Sequence, residues 1–531
     1  MPLHSTSRRA RARRLCGLCG GVAVSGHLRA RAMPLPSLIE VVPFSPEQLQ
    51  GFLIDGKAQI VIPGSKSITN RAIVLAALSK AEVTLKGALW SEDTEAMTDC
   101  MHRLGVKVQV DPDPDVAANR IITVQGCGGN IPNGGTEAQP LELFVANAGT
   151  AARFLTAMVC LGGGVYRLSG VPRMHERPQK ELIRALRALG YRVDTPNDML
   201  PAVVHGGGAK PGNVVVSVDD SSQFASALLL SSKAGQWSVS TPPGSNPDEL
   251  PYVEMTRRMV EVFPHDGGVF QIEPDASSAS YFHAVNAMFP DICPVQVVAC
   301  QPPKGEGGTG WQIDAEFPRH APPALTASAP SSDVKVGVGL TNLLMLVAYV
   351  LEALFKWLTM GVVPYLGPAR RGSGVSVSRK TELGDSVMTA VTIAPLASVP
   401  YSFTSLGVLR KQECERVQAL RTELTKCSAN VTEVGDTLSL MPCSRYALGR
   451  ATIHTYHDHR MAMCFATLGL ACPGIKLQDP SCVRKTVPSF FQILAAPPPA
   501  GLGVEIWECD PSTGARVRRL TDPADLAAAK K

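Results

Sequence analysis

Aromatic residues are scarce in this 531-residue chain, at 5%. That scarcity argues against the base-stacking surfaces that single-stranded nucleic acid requires. Charge of one sign is not in excess either. The formal net charge is +5, but residues 1–39 hold seven Arg and no Asp or Glu, so removing them leaves the remainder at −2. A near-neutral body offers no global field for nucleic acid. Zinc-knuckle spacing is missing: among 14 Cys the only C-x-x-C is Cys16/Cys19, inside the basic N-terminus. Structural zinc is thereby disfavoured, and scattered thiols fit a reducing compartment. Low-complexity tracts are absent too, since the 47 Gly and 42 Pro are spread along the chain as turn punctuation. One strongly apolar run, 340–360, is interrupted by Glu352 and Lys356 at helical salt-bridge spacing, which argues against a membrane span.

What remains is ordinary globular material, 45% hydrophobic and 18% charged, enough for two or three domains. The Arg-rich, acid-free, Ser-containing segment 1–39 reads as an organelle presequence, and the expected destination is a plastid, with cytoplasm or mitochondrion as alternatives.

The most informative pattern is a segment type that recurs six times: a small or polar cluster leading straight into an apolar, helix-length run. The clusters are GSKSITNR (64–71), NAGTAAR (147–153), SSQF (221–224), DASSAS (275–280), DSVMT (385–389) and YHDHR (456–460). Helices apolar on nearly every side belong inside a domain. Their polar first turns should face water or a ligand, and free N–H groups there make each one a potential anion site. Lys66, Arg71, Arg153 and Arg460 add cations at those ends. Amphipathic helices followed by β-like stretches lie between them, at 93–110, 177–194, 251–263 and 413–434, with Gly105 and Gly190 at C-cap positions. The implied unit is a buried helix, an amphipathic helix and several strands, repeated six times as two lobes of three.

These motifs resemble the EPSP synthase (3-phosphoshikimate 1-carboxyvinyltransferase) family. PGSKSITNR (63–71) and NAGTAAR (147–153) are similar to its two signatures. PRMHERP (172–178), SSQ (221–223), DASSASY (275–281), YHDHRMAM (456–463) and KTVP (485–488) follow in family order. The resemblance implies an α/β, two-lobed enolpyruvyltransferase fold, each lobe three βαβαββ units. It divides the chain into 40–63 plus 275–497 as the first lobe, 64–274 as the second and 498–531 as a tail. The implied reaction moves the enolpyruvyl group of phosphoenolpyruvate onto the 5-hydroxyl of shikimate 3-phosphate, with no metal or organic cofactor, in a monomer that binds small molecules only. Carried over by motif, Lys66 contacts both substrates and shuttles a proton, its acidity raised by the surrounding cations. Ser67, Arg71, Ser221, Ser222 and Gln223 hold shikimate 3-phosphate. Gly149, Arg153, Arg177, Arg416, Arg460 and Lys485 line the phosphoenolpyruvate side. Asp385 serves the hydroxyl and Glu413 the methylene carbon. Asp458 and His459 are supporting residues, and Ser277 and Ser278 pack or cap.

Some positions depart from the family pattern. Glu249 stands where the family has a phosphate-binding Ser, Gln412 where it has a Lys (with Lys411 adjacent), Val408 where it has an Asn, and His457 where it has an Asn. Residues 318–380 read as an insertion or a retained intron, because the 110-residue step from Asp275 to Asp385 exceeds the other inter-cluster spacings. Two rival readings follow: a non-catalytic anion-binding descendant, motivated by these departures, and a UDP-sugar enolpyruvyltransferase of the same fold. The second is disfavoured because the 171–173 loop carries no Cys.

Overall fold

The computed structural model describes residues 35–245, 250–324 and 374–528. Most of the basic N-terminus, Glu249, the apolar run 340–360 and most of the 318–380 region lie outside them.

All six expected buried helices form: Lys66–Leu78, Gly149–Met158, Gln223–Gly235, Ala276–Met288, Val387–Ile393 and His459–Gly469. The first three pack on one another, and so do the last three. Each triad is the centre of a separate apolar core. One core runs from Ile68 to Ile272; the other combines Leu35–Ile62 with residues from Ala279 to Ala528. Small residues at Ala72, Ala76, Ala151 and Ala152 let helices approach closely, and all four are fully buried.

Around the triads the strands repeat one pattern three times. Gly268–Gln271 runs parallel to Glu82–Leu89, which pairs antiparallel with Asn119–Gln125, which pairs antiparallel with Val108–Pro112. The same parallel–antiparallel–antiparallel order recurs with Leu141–Phe144, Val165–Ser169, Ala202–His205 and Arg192–Asp194. It recurs again with Val375–Ser378, Tyr401–Thr404, Thr437–Leu440 and Val431–Val434. An amphipathic helix covers each of these sheets: Glu92–Arg103, Lys180–Ala188 and Arg416–Lys426. Gly105 and Gly190 follow the first two at φ +80° and +84°, the left-handed geometry that ends a helix without a Cβ clash.

Sixfold regularity is not kept among the described residues. Two sheets have only two strands, Gly212–Val215 with Trp237–Ser240 and Val295–Val298 with Ala58–Val61. A sixth has five strands, because Leu38–Val41, Ile506–Cys509 and Arg516–Arg519 all enter it. Leu38–Val41 lies between Ile475–Gln478 and Ile506–Cys509, and Arg516–Arg519 closes the edge. Leu35, Leu38 and Ile39, at the end of the segment 1–39 read as a presequence, are core residues. The segment 498–531, set apart above as a tail, supplies two strands to this sheet. Arg516 forks onto Glu40 at 2.9 Å through two nitrogens and lies over the Trp507 ring. The outermost strand carries three Arg, a composition that discourages further strand addition.

The chain passes between the two cores twice, and the crossings are paired. Ser65 N–H donates to Glu273 O at 2.7 Å and Asp275 N–H to Pro63 O at 2.9 Å. Gly64 is required there, since a Cβ would stand 2.0 Å from the carbonyl oxygen of Gly87.

Docking of the C-terminal strands is testable through Ile506, which is fully buried. Ile506→Ala is expected to cost about 2–5 kcal/mol in urea unfolding. A change within error would mean that the strand does not pack as described.

Candidate functional site

A cleft between the two cores holds about 1070 Å³ of space, its open mouth included. Each of the six buried helices contributes its N-terminal region: Ser65–Ser67, Gly149 and Thr150, Ser222 and Gln223, Asp275 and Ser277, Asp385, and Arg460. Polar first turns on otherwise apolar helices therefore converge on one space, as the repeated pattern implied.

On one side, Arg153 and Arg177 stand without a carboxylate in ion-pair contact among the described residues. Arg153 Nη2 donates to Pro178 O at 2.7 Å and Nη1 to Gly149 O at 3.2 Å; Arg177 Nη1 donates to Asn147 O at 3.2 Å. Both are buried, and the Nε of each has no hydrogen-bond partner among the described residues. Burial pulls Arg153 well below its ordinary pKa, and neighbouring Arg177 adds to the shift. Such guanidinium groups are under-satisfied, and a bidentate anion would complete them. Gly149 keeps the space open: a Cβ there would lie 2.6 Å from Arg177 Nη2 and 3.0 Å from Arg153 Nη1.

Arg71 differs. Its Nε donates to Thr256 Oγ1 at 2.7 Å, Nη1 to Ser67 O at 2.9 Å and Nη2 to Ser226 Oγ at 3.1 Å, while its guanidinium lies 5.2 Å from the Phe154 ring centre. Burial brings it down to about 10. Ser221, Ser222 and Gln223 lie along the same wall, and Gln223 Oε1 has no hydrogen-bond partner among the described residues.

Facing these is a dense ionic cluster. Asp385 Oδ2 is 3.1 Å from Arg460 Nη2 and 3.7 Å from Arg416 Nη1, and Oδ1 is 3.5 Å from Arg379 Nη2. Burial pushes the Asp385 carboxyl up, but Arg460, Arg416 and Arg379 outweigh it and hold it well below the carboxylate range. Glu413 is buried likewise, yet Lys485, Arg416, Arg177 and Lys66 hold it low. Lys485 Nζ donates to Glu413 Oε1 at 3.1 Å and to Asn147 O at 3.1 Å. Burial opposes its charge, but Asp93 and Glu413 prevail and its pKa is raised. Arg416 binds Asp458 Oδ2 at 2.7 Å and Glu413 Oε2 at 2.8 Å, and donates to Gln412 Oε1.

Of the residues singled out by motif, Lys66, Ser67, Arg71, Gly149, Arg153, Arg177, Ser221, Ser222, Gln223, Asp385, Glu413 and Arg460 line the cleft. Arg416 and Lys485 adjoin that wall through its carboxylates: Arg416 pairs with Asp385, Glu413 and Asp458, and Lys485 with Glu413. Lys66 is not surrounded by cations alone: Asp93 Oδ2 lies 3.4 Å from its Nζ. Lys411 lines the cleft but is engaged with Asp220 across it. Gln412 Nε2 contacts Asp385 Oδ1 at 3.4 Å, and Val408 lies on the wall. His457 points to solvent and pairs with Asp479 at 2.5 Å. His459 is fully buried, neither ring nitrogen has a hydrogen-bond partner among the described residues, and burial, with Lys66 and Arg460, keeps it neutral.

Several lining residues escaped the motifs: Asp93, Tyr252, Asp314 and Arg379. Asp314 Oδ1 accepts from Gly384 N at 2.7 Å, Ser386 N at 3.1 Å and Ser386 Oγ at 2.6 Å, and so fixes the turn that presents Asp385. Only the Q-I-D sequence at 312–314 could have signalled it. Among the described residues no group of three or more His, Cys, Asp or Glu is placed to hold a metal, and no helix is long and apolar enough to cross a membrane.

The depressed carboxylates have a pH signature. Both bind protons more readily in the unfolded chain, so their contribution to stability is complete above the unfolded values near 4 and is lost as pH falls further. Asp385→Asn and Glu413→Gln are each expected to flatten the dependence of unfolding free energy on pH between about 5 and 3. A slope as steep as that of the parent in both variants would contradict the ion pairing described.

The chain matches the family model for EPSP synthase (3-phosphoshikimate 1-carboxyvinyltransferase) over residues 55–266 and 365–494. It is 35% identical over 454 residues to a 3-phosphoshikimate 1-carboxyvinyltransferase of Trichormus variabilis, covering 82% of this chain and 95% of the relative. It is 33% identical over 470 residues to a chloroplastic enzyme of that name from Nicotiana tabacum, covering 83% and 82%. Among solved structures, EPSP synthase from Acinetobacter baumannii superposes with a TM-score of 0.58 at 20% identity, covering 88% of this chain and 99% of that one. The enolpyruvyl transferase NikO from Streptomyces tendae gives 0.53 at 14%, covering 92% and 100%.

Proposed function

The chain belongs to the EPSP synthase family, and we propose that it transfers the enolpyruvyl group of phosphoenolpyruvate to the 5-hydroxyl of shikimate 3-phosphate, with release of phosphate. The observation that carries this reading is the meeting, in one cleft, of under-satisfied guanidinium groups at Arg153 and Arg177 with the ionised carboxylates Asp385 and Glu413. Two anionic substrates need the first, and two proton transfers need the second.

Phosphoenolpyruvate binds against Gly149, Arg153 and Arg177, with Arg460 and Lys485 closing its carboxylate and phosphate from the other core. Shikimate 3-phosphate lies along Ser67, Arg71, Ser221, Ser222 and Gln223. Its 5-hydroxyl meets Asp385, which takes the proton as oxygen bonds to C2 of the enolpyruvate. C3 gains a proton from the Glu413 side, giving a tetrahedral intermediate. Glu413 rests ionised, so that proton enters from the ammonium groups beside it, Lys485 at 3.1 Å or Lys66. Loss of a proton from the new methyl group then expels phosphate and restores the double bond. Arg416 acts through Asp385 and Glu413, which it holds in place. Residues 64–274 form one lobe of the closing cleft, and 275–497 with the N-terminal strand form the other. We also propose a monomer directed to a plastid. The acid-free basic N-terminus supports that destination, as do the chloroplastic relatives from tobacco and Arabidopsis thaliana.

Shikimate 3-phosphate should raise the melting temperature through linkage, and the full chain should restore growth without aromatic supplements to a strain lacking this activity. No thermal shift at millimolar ligand together with no complementation would reject the assignment. Asp385→Asn should lower kcat by about 10²–10⁴-fold, the usual worth of a general base.

A second expectation follows from Gly149. Its substitution by Ala forces Arg177 to move, so the KM for phosphoenolpyruvate should rise and inhibition by glyphosate, a ligand of that side of the cleft in this family, should weaken. Equal inhibition of parent and variant would count against phosphoenolpyruvate binding there.

A further inference from the structure

The acceptor side of the cleft is short of available cation. Arg71 spends its donors on Thr256, Ser67 and Ser226. Lys411 is engaged with Asp220, and the neighbouring position, Gln412, is neutral. A phosphorylated, carboxylated acceptor nevertheless needs positive charge beside its reacting hydroxyl.

Arg379 supplies a cation at that place. It directly follows strand Val375–Ser378, and its backbone N–H donates to Thr404 O at 3.1 Å, so the sheet fixes its position. Ser378 N–H donates to Glu382 Oε2 at 2.5 Å and closes the turn beyond it. The side chain is 2% exposed yet lines the cleft, with Nη2 3.5 Å from Asp385 Oδ1. The same oxygen receives Gln412 Nε2 at 3.4 Å, while Oδ2 faces Arg460 and Arg416. A single carboxylate is thus shared by three guanidinium groups. Arg416 has Asp458 and Glu413 as further partners, and Arg460 stays 3.1 Å from Oδ2, so Asp385 keeps a cation when Arg379 turns to another anion. Tyr252, which lies on the same wall, is close enough for Arg379 to influence its ionisation.

We propose that Arg379 is a ligand of the acceptor substrate, its guanidinium taking an anionic oxygen of the acceptor's phosphate or carboxylate and loosening its hold on Asp385 as it does so. The proposal rests on the function proposed above. It identifies a specificity-determining residue that none of the sequence motifs contains.

The test compares the full-length parent with Arg379→Gln and Arg379→Lys, using shikimate 3-phosphate and unphosphorylated shikimate as calorimetric probes and steady-state kinetics for phosphoenolpyruvate. Arg379→Gln is expected to weaken shikimate 3-phosphate at least tenfold, about 1.4 kcal/mol, with the phosphoenolpyruvate KM changed less than twofold. A loss confined to the phosphorylated ligand assigns Arg379 to the phosphate; an equal loss for both ligands assigns it to the carboxylate. Arg379→Lys keeps the buried charge without the bidentate fork and should show a smaller loss in the same direction. If the Gln variant does not fold, the Lys variant decides. Parental affinity for shikimate 3-phosphate, or equal losses for shikimate 3-phosphate and phosphoenolpyruvate, overturns the proposal. A parent unable to turn over the substrate pair would instead reject the underlying function, so the two failures are distinguishable.

Discussion

Charge held away from water, and balanced there, is the constraint on which the rest of the structure depends. Arg71, Arg153, Arg379 and Arg416 are at most 2% exposed, and Asp458 and Asp93 are similarly enclosed. Burying one ion without a partner is far costlier than any single packing contact recovers. The solution is division of labour. Arg416 is saturated by carboxylates, Arg71 by hydroxyls and a carbonyl, and Arg153 and Arg177 by carbonyls that leave part of each guanidinium unused. That residue of unmet donor capacity is the binding energy the cleft holds in reserve for anions. It also explains why the helices behind the cleft are almost purely apolar: their N-terminal turns carry the polarity, and the rest of each helix serves to hold those turns still.

The two cores face one another, so the ionic cluster is built from both. Lys485 reaches the carbonyl of Asn147, Arg173 the carbonyl of Gln412, Arg484 the carboxylate of Glu92, and Lys411 that of Asp220. None of these contacts exists within a single core. The cleft is therefore as much a product of how the cores meet as of either alone, and Gly64, tight against the Gly87 carbonyl at a crossing, limits how the two can shift.

Much of this was legible in the sequence, and the reason is local. A helix N-terminus concentrates its chemistry within a few consecutive residues, so Lys66, Gly149, Arg153, Gln223, Asp385 and Arg460 announce themselves by their immediate neighbours. Asp93 and Tyr252 belong to amphipathic helices or their edges, where a polar residue ordinarily meets solvent, and only the tertiary fold turns them inward. Arg379 ends a strand of alternating Val and Ser with no motif around it. Arg416 and Lys485 were legible as cations near the site, but their pairing with Glu413, and that of Arg416 with Asp458, was not, because the partners lie on separate segments. The C-terminal strands were missed because Ile506–Cys509 is only four residues long and Arg516–Arg519 is mostly Arg, and the first of them pairs with a strand more than 460 residues earlier in the chain.

That pairing has a temporal side. Leu38–Val41 leaves the ribosome among the first segments of the chain, yet the strands that flank it are among the last to be made. Residues 64–274 contain a complete core and can condense while synthesis continues, as domains commonly do. The opposite body stays open until its final strands arrive, a high-contact-order closure of the kind that folds slowly. Whatever precedes residue 35 is consequently attached, throughout translation, to a strand with nowhere yet to dock. The enclosure is completed only once the last strands of the chain have been made.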